Sequence, residues 1–295
     1  MIRNKWVAAL VAGMLLGNAA WAGATELYNK KSLYRNILVY EDDGLRCMKF
    51  GRTTGSRQSC IQLSDHDKLI FNYTKMMMAA LYLNPEPKHI LIVGLGGGTL
   101  PSALRKLFPA SQIDVVEIDP AVAEVAQRFF YFSSTGNTKV FEEDGRVFVK
   151  RALKQKAKYD LVMLDAFDHE YIPEHMLTKE FLLEVRGLLT EKGVLAANTF
   201  SSSRLYDYES ATYYSVFGDF YRLNKNNRVI LLRKGGLPAM SEIVGNAKKF
   251  EDRFRPLDTG KHELLPLLAV ESGWPADTKI LTDQYSPSNL LNAQR

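Results

Sequence analysis

The chain has little cysteine: two residues in 295, Cys47 and Cys60, far too few for a disulfide-dense miniprotein. Eleven prolines and twenty glycines exclude a collagen-like or low-complexity protein. Basic residues outnumber acidic ones by 38 to 33, yet no Lys/Arg run exceeds two. Such scattered charge reads as a solvated surface, and no nucleic-acid partner is expected. Beyond the N-terminus no stretch is apolar enough to span a bilayer. Standard metal-ligand spacings are missing as well. The segment richest in possible donors, Asp168-His-Glu-Tyr-Ile-Pro-Glu-His175, fits a gate over a crevice better than a metal site, and no metal is expected. What is present is an ordinary globular composition, 46% hydrophobic and 24% charged, long enough to bury one large core or two small ones.

Arg3 and Lys5 precede an apolar/Gly stretch from Trp6 to Gly17, followed by Ala20-Trp21-Ala22. A basic start, a short apolar centre and small residues at the end form the pattern of a secretory signal, with cleavage after Ala22. The rival reading is an uncleaved anchor from Trp6 to Ala24. Export, with a periplasmic mature protein and no stable membrane insertion after cleavage, is the expectation. Residues 1–22 are then the signal, 23–84 an N-terminal β-hairpin domain with a linking helix, 85–235 the central α/β domain, and 236–295 a C-terminal segment packed on it.

Asn36 to Asp42, Leu45 to Phe50 and Arg57 to Leu63 alternate as short strands, joined after Phe50 by a Gly-rich connection. If Phe50 faces Arg57, then Cys47 lies directly opposite Cys60. Opposed Cβ atoms come within disulfide range, and an exported protein meets an oxidising compartment.

The middle of the chain alternates strand and helix. Ile90–Val93 is an apolar run ending in Gly94-Leu-Gly96-Gly97-Gly98-Thr99, after which Pro101 opens a helix. Strands follow at Ile113–Asp119, Thr138–Asp144, Tyr159–Asp165 and Gly193–Asn198, with amphipathic helices between them. This pattern predicts a doubly wound, parallel, Rossmann-like α/β sheet. A glycine-rich strand-to-helix turn lets a ligand approach the backbone closely, and Gly94, Gly96 and Gly98 are its candidates. Glu117 ends the next strand, where a carboxylate can grip the two hydroxyls of a ribose. Asp144-Gly145 ends the third, where a carboxylate can accept from an adenine amino group. Asp165 ends the fourth. Each alone can be a helix cap, but together they point to a nucleoside crevice at the strand ends. The turn lacks the third glycine of the dinucleotide fingerprint, so an adenosyl sulfonium fits better than NAD.

These residues resemble a known family. Pro85-Glu-Pro-Lys-His-Ile-Leu-Ile-Val-Gly-Leu-Gly-Gly-Gly98, Val116-Glu-Ile-Asp119, Glu143-Asp-Gly145 and Asp165-Ala-Phe-Asp168 look like the polyamine aminopropyltransferases, typified by spermidine synthase. Ser32-Leu-Tyr-Arg-Asn-Ile-Leu-Val39 and Asn72-Tyr-Thr-Lys-Met76 resemble that family's N-terminal β-domain and tyrosine-bearing helix. Ile172-Pro173 and Leu281-Thr-Asp-Gln-Tyr-Ser-Pro287 look more like its divergent spermidine synthase-like branch, in which Asp283 and Tyr285 are candidates to reach the site. The resemblance implies a class I S-adenosylmethionine-dependent transferase fold with a small N-terminal β-domain. It implies decarboxylated S-adenosylmethionine or S-adenosylmethionine as co-substrate and a small diamine acceptor. It assigns Asp165 as proton acceptor, Asp168 as a second amine-binding carboxylate and Tyr73 as a supporting hydroxyl, with Glu117 and Asp144 on ribose and adenine.

The departures are specific. Gly97 stands where the family places an aspartate for the donor's ammonium, and restoring an aspartate there is expected to return that counter-charge. Arg35 and Thr74-Lys75 replace neutral or acidic family residues, and a cation near the amine site opposes a cationic donor. Three functions compete: aminopropyl transfer, methyl transfer from S-adenosylmethionine, and non-catalytic periplasmic binding of a nucleoside or polyamine. Assembly as a homodimer is left open.

Overall fold

Alternating burial organises the first strands of the chain. The computed structural model describes residues 23–51, 56–166, 173–202 and 204–293. The signal segment, the tip of the hairpin connection and Asp168 therefore lie outside the described residues. Strands β1 (Thr25–Lys31), β2 (Asn36–Asp42), β3 (Leu45–Phe50) and β4 (Arg57–Gln62) form an antiparallel sheet in chain order. Ile37, Val39, Met48 and Ile61 on its inner face are buried against Val122, Val125 and Phe130 of the central domain. Ser32 Oγ donates to Asp119 Oδ2 at 2.5 Å, and Arg46 Nη1 to the Phe129 carbonyl at 2.8 Å, fastening the sheet at two further points.

The hairpin register holds where the cysteines are and shifts beyond them. Cys47 pairs with Cys60 and the two form a disulfide, with Cα atoms 4.1 Å apart; no described cysteine is free. Met48 pairs with Ser59, but Lys49 then faces Arg57. Gln58 is the extra residue of a β-bulge, so the expected Phe50–Arg57 pairing does not form.

Two short helices, α1 (Asn72–Met78) and α2 (Ala80–Leu83), then lead into an eight-stranded sheet. Its parallel strands are β5 (His89–Val93), β6 (Gln112–Glu117), β7 (Thr138–Glu142), β8 (Tyr159–Leu164) and β9 (Leu189–Thr199). Helices α3 (Thr99–Leu107), α4 (Pro120–Phe129), α5 (Gly145–Lys154) and α6 (Lys179–Leu188) make the crossovers. The apolar run Ile90–Val93 is continuous because both of its faces are covered. Ile90 and Ile92 join the core that holds α1 and α2, whereas Leu91 and Val93 join the core beneath α5 and α6. The strand order runs β9-β8-β5-β6-β7, so the chain leaves β5 on one side and returns as β8 on the other. That reversal is the switch point where open α/β sheets bind ligands.

The sheet continues beyond the parallel strands. After α7 (Leu205–Phe217), β10 (Tyr221–Asn224) and β11 (Arg228–Arg233) form an antiparallel hairpin on β9. β12 (Leu268–Val270) pairs antiparallel with β10, so the C-terminal segment supplies a strand of the central sheet as well as packing on it.

Arg228 anchors this extension. It is fully buried, and its guanidinium donates to Glu209 at 2.8 Å, Ser210 at 2.7 Å and Thr199 at 2.8 Å, 3.7 Å from the Tyr206 ring centroid. The pair ties α7 to the start of β11, and the bond to Thr199 adds the end of β9. Glu209→Ala leaves a buried guanidinium short of its closest counter-charge and should cost about 3–5 kcal/mol in chemical denaturation. A loss within about 0.5 kcal/mol, as at ordinary surface sites, contradicts this anchoring.

Candidate functional site

A cavity of about 940 Å³ opens at the carboxyl ends of β5 to β9, with the N-terminal sheet as its opposite wall. Gly94, Gly96, Glu117, Asp144, Gly145, Asp165 and Tyr73 all line it. Gly94 has φ +100°, and a Cβ there would lie 2.2 Å from the Asp165 carbonyl oxygen, so only glycine lets the ends of β5 and β8 meet. Gly98 is not on the cavity wall. It precedes α3 and faces the Phe132 ring, so its place is in the turn rather than against a ligand.

Glu117 is held from both oxygens. Oε2 accepts the Leu95 N–H and Oε1 the Asp119 N–H, each at 3.0 Å. Burial pushes its pKa up, while these two amides and the charge of Arg35 pull the other way. The result is an oriented acceptor whose remaining lone pairs can take a vicinal diol. Asp144 caps α5: Oδ1 accepts the N–H groups of Arg146 at 2.9 Å and Val147 at 3.0 Å. Its Oδ2 meets His175 Nε2 at 3.0 Å. Capping and facing the cavity are thus both properties of Asp144.

Asp165 lies on the cavity floor. Asn198 Nδ2 donates to its Oδ1 at 3.0 Å, and the Tyr73 hydroxyl is a second donor. Removal from bulk water pushes its pKa up to about 7, the two donors oppose that rise, and the Glu117 charge adds to it. Tyr73 is pushed well above its ordinary value, first by burial and then by Asp165, and so stays a hydroxyl. This arrangement provides a base poised near neutrality, supported by two donors.

Asn198 was not singled out from sequence, although it ends its strand by the same rule that picked out Glu117 and Asp165. Its Oδ1 accepts from Asn227 Nδ2 at 3.3 Å, which sets the side-chain amide so that its NH2 faces Asp165. His175 and Ser59, also unassigned from sequence, line the cavity too. Among the described residues no three His, Cys, Asp or Glu are clustered to hold a metal ion.

Other expectations need correcting. Lys75 does not face the amine site: its Nζ pairs with Asp258 at 3.0 Å, while Thr74 turns inward to the Phe71 carbonyl. Arg35 does line the cavity, stacked over Phe50 at 4.3 Å. Asp283 and Tyr285 are not on the cavity wall. Asp283 instead accepts from Arg146 at 2.6 and 2.8 Å and from Thr178 at 2.7 Å, bracing the helix behind Asp144. An aspartate cannot simply be restored at position 97. A Cβ on Gly97 would lie 2.9 Å from both the Phe130 ring and Ser59 Oγ.

Gly97→Ala should therefore destabilise the protein by about 1–3 kcal/mol, the ordinary cost of overpacking. Thermal unfolding checks this, and a variant melting with the wild type contradicts the contact.

Comparison with known proteins agrees with this geometry. Residues 70–220 match the spermine/spermidine synthase domain. The chain is 46% identical over 274 residues to a polyamine aminopropyltransferase of Vibrio vulnificus strain CMCP6, across 91% of this chain and 92% of that protein. A shorter likeness, 35% over 153 residues, joins it to the Homo sapiens eEF1A lysine and N-terminal methyltransferase, across 46% of this chain and 22% of that one. Among solved structures, a spermidine synthase in complex with the transition state analogue AdoDATO shares the fold at TM-score 0.66 and 19% identity, covering 84% of this chain and 85% of that one. Human methyltransferase-like protein 13 in complex with SAH aligns at TM-score 0.56 and 29% identity, covering 72% of this chain and 99% of that one. The chain belongs to the spermine/spermidine synthase family.

Proposed function

We propose that this protein moves an aminopropyl group from decarboxylated S-adenosylmethionine to a diamine such as putrescine, a step of polyamine biosynthesis. The observation that carries the reading is Asp165, a half-buried carboxylate with a pKa near 7 beside Tyr73, at the switch point of a nucleoside-type cavity. The acceptor arrives as an ammonium and must lose a proton before it can attack. Asp165 takes that proton. The amine nitrogen then forms a bond to the carbon next to sulfur, the C–S bond breaks, and its electron pair neutralises the sulfonium, releasing methylthioadenosine. Glu117 holds the ribose, Asp144 and Gly145 the adenine, and Gly94 and Gly96 give the sulfonium side close access to the backbone. The family resemblance gives Asp168, which lies outside the described residues, the role of a second amine-binding carboxylate.

Methyl transfer from S-adenosylmethionine is the second reading. It is favoured by the likeness to the eEF1A methyltransferase and by Gly97, which offers no carboxylate to the donor's ammonium. Product analysis with each donor separates the two. A protein that binds methylthioadenosine but turns over neither donor is the periplasmic binder instead. Export rests on Arg3, Lys5 and the Trp6–Gly17 stretch, and the Cys47–Cys60 disulfide is in keeping with an oxidising compartment. Mass spectrometry of the secreted chain should give an N-terminus at Gly23.

Asp165→Asn should lower turnover by about 10² to 10⁴, the usual range for a general base, while methylthioadenosine still binds. In the wild type kcat/KM should rise with pH through about 7 as Asp165 loses its proton. Stability should move in the opposite direction. Between about pH 4 and its folded pKa the native state holds a proton that the unfolded chain has lost, so stability falls as pH rises. Asp165→Asn should flatten both profiles; a retained rate limb near pH 7 assigns the base to another group.

A further inference from the structure

β4 is an edge strand of the N-terminal sheet, and among the described residues its ladder partner is β3. It also carries the bulge at Gln58. A slip of one residue past that bulge would turn every side chain of β4 to the opposite face, Ser59 among them, and would expose Ile61, which is now buried. Ser59 lies between that bulge and Cys60. It is buried, and its Oγ accepts the Gly97 N–H at 2.9 Å. Gly97 belongs to the turn that carries Gly94 and Gly96 along the cavity wall, so this hydrogen bond joins the hairpin to the glycine turn. The fit is close on both sides, because a Cβ at Gly96 would stand 3.3 Å from the same oxygen.

The neighbouring pair in the ladder, Cys47 opposite Cys60, is covalently closed. Both residues are buried with Tyr40, and Phe71 packs against the cluster. Phe71 in turn stacks on Tyr73, with ring centroids 5.9 Å apart and planes 15° from parallel. The disulfide thus stands one residue from the support of the glycine turn and one ring from the hydroxyl that meets Asp165.

We infer that Ser59 is a positioning residue for the glycine turn, and that the Cys47–Cys60 disulfide holds Ser59 there by fixing the β3–β4 register. Its purpose is then to set donor affinity as well as to stabilise the hairpin. This inference rests on the nucleoside reading of the cavity.

The test is methylthioadenosine affinity by calorimetry, well below the unfolding temperature, for wild type, Ser59→Ala, Cys47→Ala/Cys60→Ala and the triple variant. Ser59→Ala strands a buried N–H and should weaken binding roughly tenfold. The cysteine pair should weaken it comparably. The triple variant should bind no more than about twofold worse than the weaker of the two parents, because both changes act through one contact. Under turnover the Ser59→Ala loss should fall chiefly on donor KM, whereas general loosening of the fold lowers kcat as well. A folded Ser59→Ala protein with wild-type affinity overturns the positioning role. Penalties that multiply in the triple variant overturn the link to the disulfide. If wild-type protein itself binds no methylthioadenosine, the nucleoside reading fails, and this inference with it.

Discussion

The chemistry proposed for this protein depends on one carboxylate held partly out of water. Burial favours protonated Asp165, and the structure opposes that with donors from two elements, Tyr73 on α1 and Asn198 at the end of β9. A fully solvated aspartate would be ionised at neutral pH but too weak a base to take an ammonium proton readily. A fully enclosed one without donors would stay protonated and accept nothing. The balance near neutrality is what a general base requires. It depends on backbone approach as much as on side chains, because Gly94 lets the ends of β5 and β8 touch at the switch point.

Around that carboxylate the remaining groups are held rather than loose. Glu117 is fixed by two backbone amides, Asp144 by the first turn of α5 and by His175, and Asn198 by Asn227. Behind them stand two charged braces, Arg146 with Asp283 and Glu184, and Arg228 with Glu209. Both draw on residues in the C-terminal half of the chain. The braces show why that half matters to a site whose motifs lie mostly between residues 73 and 165.

Much of this was legible in the sequence, because strand ends in a parallel sheet announce themselves. An apolar run followed by glycine or a carboxylate located Gly94, Glu117, Asp144 and Asp165, and Cys47 was placed opposite Cys60 even though the Phe50–Arg57 pairing from which that register was counted does not form. What escaped had no local signal. The Gln58 bulge depends on how β4 meets β3, and the β10–β11 hairpin reads as an apolar stretch whose partner strand lies some thirty residues away. Lys75 looked like a cation in the site because nothing nearby in sequence reveals Asp258. Gly97 looked like a missing charge, whereas its surroundings, Ser59 and Phe130, leave no room for a side chain. For Lys75 and Gly97 the deciding residue came from a distant element.

The central claim is that Asp165 is a carboxylate tuned to neutrality. Carbon-13 NMR titration of labelled aspartate carboxyls measures it directly, with the Asp165 resonance identified by its loss in Asp165→Asn. The account predicts a midpoint near pH 7 for that resonance. A midpoint near the ordinary aspartate value of about 4 would contradict it, since Asp165 would then be a poor match for the proton it has to accept.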